Sequence, residues 1–272
     1  MYPIDLEYTK ALKLMFPDTG SIHLVLVGCG GTGSWLAPAV ARVGKVLTDR
    51  FNREVKIIFV DPDRVEEKNI YRQNFCAAEI GCSKAEALAE RYGLAWGLEI
   101  FGYADRFENI CIQSHYGNQI IYIGCVDTPQ ARKEISKDVS RSTFTTWLDC
   151  GNTKNYGQVL LGTGYGVDPF SFKGFCASLP FPNEQHPELI TWDKKEKKEK
   201  NPKPDLSCAE MALLDSQGLA INQRMAAEAA DYLVQMLITK DLKKYATYID
   251  LESGTSQSKY ITEDAIRQFL KK

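Results

Sequence analysis

The stretch VLVGCGGTGSW, residues 25–35, places a glycine-rich loop directly after the apolar run Ile22–Val27. Gly28, Gly30 and Gly33 have the G-x-G-x-x-G spacing that is typical of a phosphate-binding loop between a strand and a helix. Glycines let the backbone approach phosphate oxygens, and the start of the next helix presents free N–H groups. The pattern fits loops for NAD, FAD, S-adenosylmethionine or ATP, and a turn without a ligand could share it.

Short apolar segments alternate with helical patterns in the first 150 residues. Strands are predicted at Ile22–Val27, Val55–Val60, 119–125 and 144–148, and helices at 35–48 and 84–92. Parallel strands that are buried on both faces have continuous apolar sequences of this kind. The alternation predicts an α/β fold, a doubly wound, mostly parallel sheet with a Rossmann-like nucleotide-binding half.

The remaining elements predict a mixed C-terminal half. Strands are predicted at 158–162 and 248–251, a terminal helix at 260–270, and a short N-terminal helix at 7–16. A long helical region follows residue 207, with apolar residues at helical spacing. We expect these residues in the core: Met225, Ala229, Tyr232, Leu233 and Met236.

The stretch WDKKEKKEKNPKPD, residues 192–205, combines dense charge with two prolines and cannot bury a core. It predicts an exposed loop, and its alternating lysines and glutamates do not favour nucleic acid. We expect a single domain over residues 1–272, with an N-terminal helical segment (1–20), two halves (21–150 and 151–272) and a mobile crossover loop (183–207).

Composition excludes several classes of protein. The formal net charge of −2 gives no basic field for nucleic acid. No apolar run approaches the ~20 residues that span a bilayer, and the N-terminus lacks the pattern of a signal peptide. We therefore expect a cytoplasmic protein without nucleic-acid or membrane partners. Most of its eight cysteines, which form no CxxC pair, are expected to be small buried hydrophobes and not disulfides.

Charged residues after the second strand bear on the choice of nucleotide. Asp61 ends this strand, where an acidic residue commonly binds ribose hydroxyls in NAD or ATP sites. Arg72 and Lys84 follow and would make the site basic where phosphates lie. A triphosphate needs such cations and usually a metal, whereas the glycine loop largely meets the charge of a dinucleotide. Either cation alone could be a surface charge.

Asp127 follows the predicted strand 119–125 and would share a sheet edge with Asp61. In an open α/β sheet, ligands bind outside the carboxyl ends of the strands. A carboxylate at that edge can hold Mg²⁺ against triphosphate oxygens. Asp127 could equally cap the helix predicted from Pro129.

Taken in order, these residues resemble the ubiquitin-activating superfamily, in its bacterial ThiF/MoeB branch of sulfur-carrier adenylyltransferases. The shared pattern is the glycine loop, a strand that ends in Asp, the element D-x-V-E-x-x-N-x-x-R-Q, a glycine turn with a lysine, and a strand followed by C-x-D. After the glycine loop, the matching residues are Asp61, Asp63, Val65, Glu66, Asn69, Arg72, Gln73, Gly81, Lys84, Cys125 and Asp127. The resemblance covers roughly residues 20–240.

The resemblance implies a doubly wound fold that works as a homodimer and uses ATP with Mg²⁺. It implies that the C-terminal glycine of a small ubiquitin-like protein attacks the α-phosphate to give an acyl-adenylate and pyrophosphate. Asp61 would hold the ribose, Asp127 would position Mg²⁺, and Asn69, Arg72 and Lys84 would stabilise the phosphates. The implied nucleotide-binding residues are Gly28, Gly30, Gly31, Gly33, Asp61, Asp63, Asn69, Arg72, Gln73 and Lys84. Residues 21–150 would be the ATP-binding half, and 151–272 would bind the ubiquitin-like protein.

Cys208 lies in the segment PDLSCAEMALL, which resembles the place where family members carry a cysteine before a long helix. In those proteins the cysteine attacks the adenylate or carries a persulfide. The dipole of a helix that begins at Cys208 would favour the thiolate. A cysteine buried at a helix start is the alternative.

The chain departs from the family in three places. It lacks the two CxxC pairs of the zinc-binding members, so we expect no zinc. Its first twenty residues contain no arginine to enter a partner's ATP site, only Lys10 and Lys13. Thr128 replaces the usual asparagine of the C-x-D element. The chain looks most like the ThiF-type proteins of PRTRC systems or related ubiquitin-like conjugation operons, which also encode a conjugating-enzyme-like protein.

Two other functions stay open on the sequence. One is an NAD(P)-dependent oxidoreductase with a Rossmann fold, although His23, His115 and His186 are scattered and supply no evident proton-transfer pair. The other is a non-catalytic adaptor that binds a ubiquitin-like protein.

Overall fold

The computed structural model describes residues 6–18, 20–112, 117–141, 144–191 and 208–270, with the backbone alone for 208–217. Within these ranges the helices are α1 (Leu6–Lys10), α2 (Gly31–Phe51), α3 (Lys84–Trp96), α4 (Pro129–Arg141), α5 (Pro182–Gln185), α6 (Cys208–Val234) and α7 (Glu263–Leu270). The strands are β1 (Lys13–Leu14), β2 (Ile22–Val27), β3 (Val55–Val60), β4 (Ile100–Tyr103), β5 (Gln119–Gly124), β6 (Thr145–Asn152), β7 (Tyr156–Gly164), β8 (Phe175–Cys176), β9 (Lys244–Asp250) and β10 (Thr255–Tyr260).

Eight of the described strands form one sheet in the order β10-β9-β7-β6-β5-β2-β3-β4. β2 pairs in parallel with β3 and β5, and β4 and β6 extend the parallel part on either side. β7, β9 and β10 continue the sheet in antiparallel pairs. This arrangement confirms the predicted α/β fold with a mostly parallel sheet and a mixed C-terminal part.

The central strands are buried on both faces because helices cover the sheet from both sides. Leu24 of β2 packs in one hydrophobic cluster with Val40 of α2, whereas its neighbour Val25 packs in a second cluster with Ile135 of α4. Every residue of β2 is buried as a result. This two-sided burial explains why the strand reads as a continuous apolar run.

Several predicted elements are wrong in extent. The helix predicted at 7–16 ends at Lys10, and the chain then forms β1, which pairs in parallel with β8. The helix predicted from residue 35 already begins at Gly31. The helix predicted at 260–270 begins at Glu263, because Tyr260 ends β10.

The remaining expectations concern loops and cysteines. Residues 192–207 of the predicted crossover loop lie outside the described ranges. The expectation of mostly buried cysteines is wrong for Cys76, Cys82 and Cys111, which are exposed because they lie between regular elements and not on a buried strand. Across the described residues, none of the helices combines the length and the apolar character that crossing a membrane requires.

Candidate active site

The carboxyl ends of the parallel strands form one edge of the sheet, and a cleft of about 800 Å³ lies along it. The cleft gathers residues from the loops after β2, β3 and β5. Nearly all of the predicted nucleotide-site residues line it: Gly28, Gly30, Gly31, Asp61, Asp63, Asn69, Arg72, Gln73, Lys84 and Asp127. Gly33 does not line the cleft, and the side chain of Cys208 lies outside the described residues.

The glycine loop is shaped by close backbone contacts. Gly28 has a φ of +90°, in the left-handed region that favours glycine. A Cβ on Gly33 would lie 1.9 Å from the Gly28 carbonyl oxygen, so Gly33 allows helix α2 to pack against the loop. Its role in this structure is tight packing, which differs from the predicted contact with a nucleotide.

Asp61 is held by the backbone at the end of β3. Its Oδ2 accepts a hydrogen bond from the Cys29 N–H at 2.6 Å, and its Oδ1 accepts one from the Asp63 N–H at 2.8 Å. The residue is only 6% exposed. Burial raises the pKa of its carboxyl, while these two hydrogen bonds oppose that rise. The carboxylate is thus fixed in position at the cleft wall.

Lys84 is a buried cation at the start of α3. Ser83 caps this helix by accepting a hydrogen bond from the Glu86 N–H, which fixes where Lys84 leaves the chain. The Lys84 ammonium donates to Asp63 Oδ2 at 2.9 Å, and Lys84 itself is 6% exposed. Asp63, by contrast, is largely open to solvent, so Lys84 has an exchangeable partner.

A short 3₁₀ turn, Glu67–Asn69, positions the N-x-x-R-Q element. The Asn69 side-chain oxygen accepts a hydrogen bond from the Glu66 N–H, and the Asn69 carbonyl accepts from the N–H groups of Arg72 and Gln73. Gln73 Oε1 is buried and has no hydrogen-bond partner among the described residues. The turn therefore brings an amide and a guanidinium to the same wall of the cleft.

Asp127 is exposed on the opposite wall, just past β5. Thr128, and not Asp127, caps α4, because the Thr128 hydroxyl accepts a hydrogen bond from the Ala131 N–H at 3.3 Å. Asp127 makes no hydrogen bond or ion pair with any described residue. An exposed carboxylate without a partner fits a ligand of Mg²⁺, which binds oxygen and retains several waters.

Sequence reasoning missed other residues that line the cleft. Arg106 and Phe107 follow β4, a strand that the apolar pattern did not reveal. Asn152, at the end of β6, donates a hydrogen bond from Nδ2 to Asn222 Oδ1 of α6 at 3.1 Å. Its Oδ1 accepts a hydrogen bond from the Thr32 hydroxyl of α2 at 3.0 Å. If β4 had been predicted, Arg106 would have been a candidate site residue, because it follows the carboxyl end of that strand and the parallel strands all end at this edge.

Two thiols also face the cleft. Cys125 follows β5 and Cys150 lies on the adjacent strand β6. A hydrogen bond with Cys125 and complete burial raise the pKa of Cys150 well above its ordinary value. Both effects disfavour the thiolate form of Cys150.

A second groove of about 510 Å³ continues from the cleft along the antiparallel strands. Asp127 and Asn152 line both, so the two spaces meet at the carboxylate that fits a metal. Tyr156, Tyr248 and Gln257 form part of its far wall. The edge of the sheet can thus accept a nucleotide and an extended second ligand side by side.

Comparisons with known proteins agree with this geometry. The model of the ThiF family matches residues 18–265. The tRNA threonylcarbamoyladenosine dehydratase of Escherichia coli (strain K12) is 40% identical over 83 residues, which are 30% of this chain and 26% of that protein.

Solved structures of E. coli MccB show the same fold at low sequence identity. The crystal structure of MccB with ATP has a TM-score of 0.56 and 16% identity, and covers 88% of this chain and 64% of that chain. The structure of MccB with MccA-N7isoASN has a TM-score of 0.57 at the same identity and coverage. The chain thus spans less than two thirds of MccB and about a quarter of the dehydratase.

Proposed function

The chain belongs to the ThiF family, and from this premise we propose that it catalyses the ATP-dependent adenylation of the C-terminal glycine of a small ubiquitin-like protein. The observation that carries the proposal is the composition of one cleft. Arg72 and Lys84 lie on one wall, the exposed carboxylate of Asp127 lies on the other, and the glycine loop lies between them.

This charge arrangement favours a triphosphate over a nicotinamide dinucleotide. A triphosphate carries about four negative charges and calls for cations and a metal. Lys84 is a buried cation whose present partner, Asp63, is largely exposed and can exchange it for a phosphate oxygen. Asp61 is already ordered as an acceptor for ribose hydroxyls by two backbone N–H groups.

Each predicted nucleotide-site residue that lines the cleft has a role in this proposal. Asp61 holds the ribose, and Asn69, Arg72 and Lys84 hold the phosphates. Gly28, Gly30 and Gly31 let the backbone approach the phosphates. Asp63 orients Lys84, and Gln73 orients the glycine loop. Asp127 holds Mg²⁺, which neutralises charge on the phosphates when bound.

The chemical step needs little from acid–base groups. An oxygen of the terminal carboxylate forms a bond to the α-phosphorus, and the bond from that phosphorus to the oxygen that bridges to the β-phosphate breaks. Pyrophosphate leaves with the bonding electrons. Because the carboxylate is ionised at neutral pH, no base has to remove a proton. Arg72 and Lys84 stabilise the charge as it moves onto the leaving group.

We extend the proposal to the steps and partners around adenylation. The thiolate of Cys208, at the first residue of α6, forms a bond to the acyl carbon of the adenylate. The bond from that carbon to the phosphate oxygen breaks, AMP leaves with the bonding electrons, and a conjugating-enzyme-like protein next accepts the acyl group from the thioester. The chain acts in the cytoplasm as a homodimer without zinc. Arg106, whose exposed side chain belongs to the lining of the cleft, takes the place of the family's N-terminal arginine.

The proposal predicts ATP–pyrophosphate exchange that depends on a ubiquitin-like protein with a C-terminal glycine. Asp127→Ala should lower the exchange rate by about 10²–10³-fold, since it removes the metal ligand. Cys208→Ala should leave exchange near normal, because the thiol acts after adenylation. Normal exchange in Asp127→Ala would show that the site is wrongly assigned.

Three other activities give different results in simple assays. Thermal stabilisation by NAD but not by Mg-ATP would favour an oxidoreductase. Binding of the ubiquitin-like protein without any adenylate in the mass spectrum would favour an adaptor. Exchange that requires tRNA would favour an activity like that of the E. coli dehydratase.

A further inference from the structure

A buried ion pair lies where the groove meets the nucleotide cleft. Arg132 of α4 donates from Nε to both oxygens of Asp149 on β6, at 3.1 and 3.2 Å. The Asp149 side chain is fully buried, and that of Arg132 is 9% exposed. Burial raises the pKa of Asp149, and the neighbouring guanidinium counteracts this rise.

Asp149 uses only one of the three nitrogens of the guanidinium. Neither terminal nitrogen of Arg132 forms a hydrogen bond with a described residue, and neither is among the buried polar atoms without a partner. Arg132 lines the groove, so these nitrogens open into it. A guanidinium held from behind by a carboxylate can bind a second carboxylate through its free N–H groups.

The groove is shaped around this guanidinium. A Cβ on Gly151 would lie 2.9 Å from Arg132 Nη2, so glycine leaves the space that this edge of the side chain occupies. Among the described residues that line the groove, Arg132 is the only cation. Asp250, also in its lining, would repel an anion at the far end of the groove.

We infer that Arg132 is the receptor for the substrate carboxylate and that Asp149 is its positioning residue. This inference rests on the proposed function, which requires a carboxylate beside the metal-binding Asp127. An extended peptide tail lies along the groove, and its terminal carboxylate binds the open side of Arg132. There it lies at the junction with the nucleotide cleft, with its second oxygen available to the α-phosphate.

A purely structural pair would not require this arrangement. Buried ion pairs have a large desolvation cost and are often replaceable by apolar residues of similar size. A pair that served packing alone would also be expected to use the terminal nitrogens within the protein, since a buried arginine has five N–H donors to satisfy. The open nitrogens and their direction into the groove indicate a ligand.

The test compares two fluorescent peptides that end in Gly-Gly, one with a free carboxylate and one with a C-terminal amide. The full chain, saturated with Mg²⁺ and a non-hydrolysable ATP analogue, is titrated into each labelled peptide. Fluorescence anisotropy measures the binding. The variants are Arg132→Lys and the double variant Arg132→Gln with Asp149→Asn, which avoids an unpaired buried charge. The control is Lys154→Gln, which removes an exposed cation that is near the groove but does not line it.

The wild type and Lys154→Gln should bind the acid roughly ten- to hundredfold more tightly than the amide. The double variant should lose this preference for the acid and still bind the amide as tightly as the wild type does. Arg132→Lys should lose most of the preference. Equal binding of both peptides by the wild type, a preference that survives in the double variant, or no binding of either peptide at millimolar concentration overturns the inference. Thermal stabilisation by the nucleotide alone tests the proposed function separately, because Arg132 does not line the nucleotide cleft.

Discussion

Asp61 and Asp127 are two aspartates on one edge of the sheet, and their surroundings give them different properties. Asp61 is buried and accepts two backbone hydrogen bonds, so its position is fixed before any ligand arrives. Asp127 is exposed and has no partner among the described residues. The first environment suits an acceptor that orients a sugar, and the second suits a ligand for a hydrated metal ion.

The raised pKa of Asp61 predicts a pH-dependent cost to stability. Because burial raises the pKa in the folded state, the carboxyl favours folding below its ordinary pKa of 3.8, and this contribution is lost as the pH rises through the folded-state value. Asp61→Asn removes this dependence. The free energy of unfolding in urea, measured at several pH values, should therefore fall less for the variant than for the wild type across this window.

In Asp61→Asn, one of the two backbone N–H donors faces an amide nitrogen and loses its acceptor. The resulting loss in the free energy of unfolding does not vary with pH. The pH range from about 3 to 7 covers the titration of an aspartate. If the difference in the free energy of unfolding between the variant and the wild type stayed constant over this range, Asp61 would not titrate as we expect.

Two lysines that line the cleft differ in how deeply they are buried. Lys84 is 6% exposed, whereas the side chain of Lys68 is 59% exposed and pairs with Glu66. Charge in a poorly solvated site interacts more strongly with phosphate than charge screened by water. Lys84→Met should lower the exchange rate by about 10²–10³-fold, and Lys68→Met should change it by about threefold or less. Similar losses in both variants would mean that net charge, and not position, matters.

At the scale of elements, the junction of β2 and α2 determines the shape of the loop. Gly33→Ala would drive a methyl group against the Gly28 carbonyl oxygen, which neither element can avoid without moving. We expect a loss of about 3 kcal/mol in the free energy of unfolding. Gly218→Ala is the matched control, since a Cβ there lies 4.0 Å from its nearest neighbour in α6.

Gly218→Ala should stabilise the protein by about 0.5–1 kcal/mol, because alanine has less backbone freedom in the unfolded chain. Urea denaturation of both variants measures the difference. Equal stability of Gly33→Ala and wild type would show that the tight packing of α2 against the loop is not required.

Elements with strong patterns could be predicted from the sequence, and elements defined by tertiary contacts could not. β2, β3 and β5 are buried on both faces, so their apolar runs suffice to predict them. β4 and β10 are partly exposed and lack such a run, and β4 pairs with β3, from which helix α3 separates it in the sequence. The same limit applies to the site: the motif predicts Asp61, Arg72 and Lys84, whereas Arg106 follows a missed strand.

Other site residues depend on the arrangement of the whole chain. Asn152 and Asn222 are 70 residues apart and meet only because α6 packs across the sheet. Arg132 carries no local signal either, since its role depends on Asp149 of the neighbouring strand. No local pattern predicts such pairs, which require the strand order.

At the scale of the whole molecule, one sheet joins the parallel strands that end at the cleft to the antiparallel strands beside the groove. β6 is the last parallel strand, and β7 returns beside it in the opposite direction. The change of direction lies where the cleft and the groove meet. A nucleotide on the parallel side and a peptide on the antiparallel side would therefore come together at Asp127 and Arg132.

The position of the nucleotide can be determined in a crystal structure of the full chain with Mg²⁺ and a non-hydrolysable ATP analogue. We expect the ribose at Asp61, the phosphates against the glycine loop, Arg72 and Lys84, and the metal at Asp127. A nucleotide bound elsewhere, or bound in the cleft with its phosphates away from Arg72 and Lys84, would contradict this expectation.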